Sequence, residues 1–92
     1  MTGKTIRARV FGIVQGVCFR HYTRLKAVEL GLSGWVRNLG DGSVETLIAG
    51  DRKNVAEMVE WLHTGPPHAV VKSVRTTDDV EEPAANSFEI RR

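Results

Sequence analysis

The sequence predicts an α+β fold with the element order β-α-β-β-α-β and one short strand at the end. Three observations carry this reading. "TIRARVFGI" alternates, with Ile6, Ala8 and Val10 on one side and Arg7 and Arg9 on the other, the pattern of a half-buried strand. Val55, Met58, Val59 and Leu62 recur at i, i+3, i+4 and i+7, which marks a helix with one apolar face. "SGWVRN" and "SVETLIAG" flank "LGDG", whose Asp41-Gly42 pair is a strong hairpin signal.

The remaining elements fall in order around these. After the first strand, "VQGVCFR" forms a loop, and Phe19, Tyr22, Ala27 and Leu30 then give an apolar face at approximate helical spacing. Gly31 suits the position just past that helix. The third strand has Val44, Thr46 and Ile48 on one face. Asp51 is a good N-cap for the second helix, and "GPP", Gly65 to Pro67, stops it. "AVVKSVRTT" reads as the fourth strand. "DDVEEPAAN", Asp78 to Asn86, is an acidic loop to which the sequence assigns no role. "SFEIRR" closes the chain with Phe88 and Ile90 expected to face inward. This order is the ferredoxin-like pattern of two split βαβ units. Right-handed crossovers place both helices on one face of an antiparallel sheet. So many functions share this fold that the site has to carry the functional argument.

Bulk properties narrow the classes. The 92 residues suit one domain spanning 1–92, and 41% hydrophobic residues suit a packed core. The net charge of +2 is small and the basic residues are scattered, which points to neither nucleic acid nor membrane as a partner. The single cysteine, Cys18, cannot form an internal disulfide. No apolar run has the length of a bilayer span, and the start "MTGKTIRARV" lacks a signal core. A cytoplasmic monomer is expected.

Chemistry concentrates at "VQGVCFR", Val14 to Arg20. A helix N-terminus carries unpaired N–H groups and a partial positive charge. A glycine such as Gly16 lets successive N–H groups turn inward and form an anion nest. Arg20 adds a planar fork that matches two phosphate oxygens. Asn38 ends the second strand. The first two strands of a βαβ unit are parallel, so Asn38 falls at the same sheet edge as the loop. An ordinary turn would also use these residue types, so spacing alone leaves both readings open. "CFRHYTR" has the C-x5-R spacing of cysteine-dependent phosphatases, from Cys18 to Arg24. The five residues between lack glycine and read as a helical turn, so they do not form the loop that such chemistry requires. "GKT", Gly3 to Thr5, lacks the upstream strand and glycine of a nucleotide-binding loop. His21, His63 and His68 have no metal-ligand spacing. Trp35 and Trp61 read as packing residues.

"VFGIVQGVCFR", "GLSGWVRNLGDGSVE", "GPPHAVV" and "FEIR" together resemble the acylphosphatase family, over nearly the whole chain and in the expected order. The resemblance implies a ferredoxin-like sandwich and hydrolysis of acyl phosphates to carboxylate and inorganic phosphate, with no cofactor and no metal. It places the phosphate-binding arginine at Arg20 and the water-positioning asparagine at Asn38. It places the phosphate-cradling loop at Gln15, Gly16, Val17, Cys18, Phe19 and Arg20, acting through backbone N–H groups. The family is also similar to a domain of larger carbamoyl-transfer maturation proteins, for which this chain is too short.

The chemistry agrees with that implication. An arginine, amide donors and a carboxamide supply no evident metal site, nucleophile or general base. A carboxylate leaving group, whose conjugate acid has a pKa of about 4, departs without protonation, and phosphoryl transfer asks mainly for positioning and charge stabilisation. Two other classes compete. RNA-recognition domains share this topology and stack bases on strand aromatics, but the first strand offers only Phe11 and the third offers none. A non-catalytic phosphate-binding module would use the same loop and Arg20, yet it has less need of Asn38. The physiological acyl phosphate is not encoded in any motif.

Overall fold

The computed structural model describes residues 3–79, 81, 83 and 86–92. Its elements are β1 (Gly3–Ile13), α1 (Phe19–Glu29), β2 (Ser33–Asn38), β3 (Val44–Asp51), α2 (Arg52–Thr64), β4 (Val70–Asp78) and β5 (Phe88–Arg91). The strands form one sheet in the order β4-β1-β3-β2-β5. Antiparallel ladders join β1 to β3, β1 to β4 and β2 to β3. β5 instead pairs in parallel with β2. The sheet is therefore mixed rather than wholly antiparallel, because the last strand takes the free edge of β2.

The core lies between the sheet and the helices. Ile6, Ala8 and Val10 of β1, Val36 of β2 and Val44 and Ile48 of β3 meet Val55, Met58 and Leu62 of α2 there. Asp51 caps α2 through its side chain, which accepts from the Lys53 N–H, and Gly65 ends the helix with φ of 70°. α1 ends as expected at Gly31, where the Leu32 N–H donates to Ala27 and the Gly31 N–H to Val28, the paired bonds of a Schellman stop.

Two inward assignments need correction. On α1 the buried residues are Phe19, Thr23 and Ala27, and Tyr22 is 40% exposed. Thr23 donates its hydroxyl to the Phe19 carbonyl at 2.7 Å. Its polar atom is thereby satisfied, and a side chain smaller than tyrosine lets the helix approach the sheet. Phe88 is buried as expected, but Ile90 is 43% exposed. Both stand on the helix side of β5, and α1 covers only the first of them.

Among the described residues the other sheet face carries no helix, and it is closed by charge. Trp35 is buried there beneath three guanidinium groups, those of Arg7, Arg37 and Arg91, at 5.4, 5.1 and 5.0 Å from its ring centre. Stacked arginine cations shield an aromatic ring while keeping their charge hydrated. Arg7 pairs with Asp79 and Glu81 of the acidic loop, as well as Glu45. That loop is thus a partner of the open face; its Val80, Glu82, Ala84 and Ala85 lie outside the described residues.

β1 ends in an irregularity that aims the loop. Its register with β4 shifts between Phe11 and Gly12. Gly12 has φ of 134°, and a Cβ there would lie 2.1 Å from the Val70 carbonyl oxygen. Gly12→Ala should therefore destabilise the protein by at least about 2 kcal/mol, from clash and strained backbone together. Urea unfolding checks this, and a variant of unchanged midpoint would show that β4 yields without cost.

Candidate active site

The loop between β1 and α1 is built from alternating backbone hands. Gly16 has φ of 76° and Cys18 has φ of 59°, while Val17 between them has no positive φ. Such alternation turns successive N–H groups toward one point. Among the described residues, no N–H group from Gln15 to Arg20 donates to an acceptor in the chain, and the first helical bond runs from Tyr22 N–H to the Cys18 carbonyl. These are the orphan donors of a helix start, extended backward into the loop.

Gln15 sets where that loop sits. Its side-chain amide donates to the Leu39 carbonyl at 2.8 Å and to the Ser43 carbonyl at 2.9 Å. Both acceptors flank the β2–β3 turn that follows Asn38 directly. The turn is itself braced: Asp41 accepts from the Ser43 N–H and hydroxyl and from Arg9. Those two Ser43 donors, and less strongly Arg9, hold the Asp41 carboxyl below its usual pKa. The bracing is complete above the ordinary carboxylate pKa and is lost as pH falls through the depressed one.

Asn38 and Arg20 meet at one pocket of about 350 Å³, lined by Val14, Gly16, Cys18, Phe19, Arg20, His21, Asn38 and Ile90. Asn38 pairs with Val44 at the end of the β2–β3 ladder. Its carboxamide makes no hydrogen bond among the described residues. Arg20 donates one bond, from Nη1 to the Arg91 carbonyl at 2.8 Å, and has no carboxylate partner among the described residues. The adjoining Arg24 Nε donates to the Phe88 carbonyl at 3.0 Å. β5 thus holds the arginine face of α1.

The pocket gathers the sequence-derived residues: Arg20, Asn38, and Gly16, Cys18 and Phe19 of the loop. Gln15 and Val17 belong to the same loop but do not line it. Sequence reasoning found β5 as a strand but missed its place beside this pocket. The Arg91 carbonyl and the Ile90 side chain belong to this site, and only the expectation that Ile90 faces the helix side hinted at it. Cys18 is exposed in the loop, and Arg24 is turned to β5. No loop is wrapped between Cys18 and Arg24, since Phe19 to Arg24 are helical.

Fold and pocket together define a ferredoxin-like sandwich with a pocket at the start of its first helix, lined by Arg20 and Asn38. Comparison with known proteins narrows this class to one family. The acylphosphatase family model matches residues 6–90. An acylphosphatase of Rubrobacter xylanophilus is 49% identical over 88 residues, covering 96% of this chain and 80% of that protein. The structure of an acylphosphatase from Coxiella burnetii superposes with a TM-score of 0.92 at 42% identity, covering 98% and 94% of the two chains. Full-length HypF, in its phosphate- and nucleotide-bound form, contains a similar unit, with a TM-score of 0.82 at 25% identity over 12% of its length. The chain belongs to the acylphosphatase family, and it is an enzyme.

The Gln15 bridge has a measurable consequence. Gln15→Ala removes two hydrogen bonds, each worth about 1 kcal/mol, and frees the loop from the Asn38 turn. Turnover of an acyl phosphate should fall by about 10- to 100-fold, since small misplacements of catalytic groups are costly. Melting and steady-state kinetics check both parts. Full activity at a lowered melting temperature would mean that the bridge serves stability alone.

Proposed function

We propose that this enzyme hydrolyses acyl phosphates by direct attack of water on phosphorus. The observation carrying the reading is the convergence of Arg20, the unpartnered loop N–H groups and the free Asn38 carboxamide on one pocket. The N–H groups of Gln15 to Arg20 and the Arg20 guanidinium bind the phosphoryl oxygens. Their preorganised positive potential stabilises charge spread over those oxygens in the transition state.

Asn38 orients the attacking water in line with the scissile bond. A neutral carboxamide is too weak a base to take the proton, so a phosphoryl oxygen of the substrate accepts it. The new P–O bond forms as the P–O bond to the acyl group breaks, and its electron pair leaves with the carboxylate. That leaving group needs no general acid, because its conjugate acid is already strong, with a pKa of about 4. The products are a carboxylate and inorganic phosphate, and the mechanism uses no covalent intermediate.

Arg20 and Asn38 should separate in their effects. Arg20→Ala should lower kcat/KM by roughly 10²–10³ or more and weaken inorganic phosphate. Arg20→Lys should restore little, since a point charge lacks the bidentate fork. Asn38→Ala should lower kcat with little change in phosphate affinity, because its contact matters in the transition state. The measurements are kcat on an acyl phosphate and Kd for inorganic phosphate in folded variants. Collapse of phosphate affinity in Asn38→Ala would make Asn38 a phosphate ligand, and surviving turnover would leave a phosphate-binding loop without a catalytic asparagine.

Cys18 contributes its N–H but not its thiol. Cys18→Ser should keep most activity, and no phosphocysteine should accumulate in rapid-quench mass spectrometry. A trapped phosphocysteine would overturn direct attack by water.

A further inference from the structure

The pocket has one feature that phosphoryl chemistry does not use. Ile90 lines it while remaining 43% exposed. Its ladder partner in β2, Val36, is fully buried, as is Phe88 two residues earlier on the same side of β5. An isoleucine in that row would ordinarily be covered by the helix layer. Here the first turn of α1 leaves it open to the pocket. The other apolar side chains lining the pocket, Val14 and Phe19, are buried. Ile90 is therefore the apolar surface that the pocket presents to a ligand.

A dianionic phosphoryl group gains nothing from an isoleucine. The part of an acyl phosphate that does is the acyl group. In-line displacement puts the entering water and the leaving carboxylate on opposite sides of phosphorus. Asn38 stands at the end of β2 and Ile90 on the neighbouring strand, β5, and adjacent strands lie about 4.8 Å apart. Ile90 and Asn38 thus line the same pocket from neighbouring strands, and an acyl group that leaves on the β5 side meets the isoleucine.

We propose that Ile90 is the specificity-determining contact for the acyl group and gives the enzyme a preference for apolar acyl phosphates over small or charged ones. The inference rests on the mechanism above and adds the substrate class. An apolar contact of this size changes discrimination by about tenfold or more. Side-chain exposure makes Ile90 replaceable without loss of the fold, and it lies outside the groups assigned to phosphate and water.

The test compares benzoyl phosphate, acetyl phosphate and succinyl monophosphate, which carries a free carboxylate, with the inhibition constant of inorganic phosphate as reference. In Ile90→Ala the ratio of kcat/KM for benzoyl to acetyl phosphate should fall about tenfold, with inhibition by inorganic phosphate unchanged. In Ile90→Lys the preference should move toward succinyl monophosphate. An unchanged ratio in both variants, or an equal loss on all substrates together with weaker phosphate inhibition, overturns the proposal, the latter by making Ile90 a support for Arg20. Wild-type enzyme that turns over none of the three would defeat the mechanism itself and this inference with it, a result distinct from turnover without discrimination.

Discussion

The side-chain amide of Gln15 is the interaction on which the site depends. It spans from the loop between β1 and α1 to two carbonyls of the β2–β3 turn. Topology alone brings the ends of β1 and β2 to one sheet edge, since both are antiparallel to β3. That leaves slack between a loop and a turn, which the backbone ladders do not remove. The amide removes the slack because both of its N–H donors are used at once. The acceptors are held in turn, Leu39 by its N–H to Ser43 and Ser43 by Asp41 and Arg9. A chain of short polar links thus runs from the open sheet face to the loop.

The loop itself carries strain that the rest of the fold must hold. Gly16 accepts its left-handed φ freely, but Cys18 does not, and a side-chain-bearing residue there costs about 1–2 kcal/mol. The gain is geometric. With both residues left-handed, the N–H donors from Gln15 to Arg20 stay without an acceptor among the described residues. Phe19 stabilises the arrangement from below, buried beside Trp61 with ring centres 5.9 Å apart. A packed aromatic at the first helical position anchors the strained residue immediately before it.

Much of this was legible in the sequence because side-chain periodicity reports burial. β1, β2 and α2 follow from alternation, turn residues and an apolar stripe; Ile6, Ala8 and Val10 of β1 and Val55, Met58 and Leu62 of α2 are buried as read, with Val59 partly buried. α1 was legible in extent but not in phase. Its apolar residues form two stripes, and the one containing Tyr22, Leu25 and Val28 lies outward. Nothing in hydrophobicity favours Thr23 over Tyr22; the choice follows from Phe19 and from a hydroxyl that can satisfy itself within the helix. β5 was legible as a strand, but its parallel pairing with β2 was not, because one sequence does not say which sheet edge a last strand joins. The Arg91 carbonyl that holds Arg20 was hidden for a deeper reason: a backbone acceptor has no residue signature.

The partners of the arginines show why that carbonyl suits its place. On the open sheet face, Arg7, Arg9 and Arg37 pair with carboxylates. There the task is to cover Trp35 and Leu47 without leaving a large unbalanced field. On α1, Arg20 and Arg24 are held by carbonyl oxygens of β5 instead. A carboxylate beside Arg20 would orient it equally well, but it would also satisfy the charge. A neutral carbonyl fixes one nitrogen and leaves the cation without a carboxylate partner among the described residues, beside the pocket that it lines. The fold thus orients its key cation without neutralising it, and β5 supplies the acceptor that makes this possible.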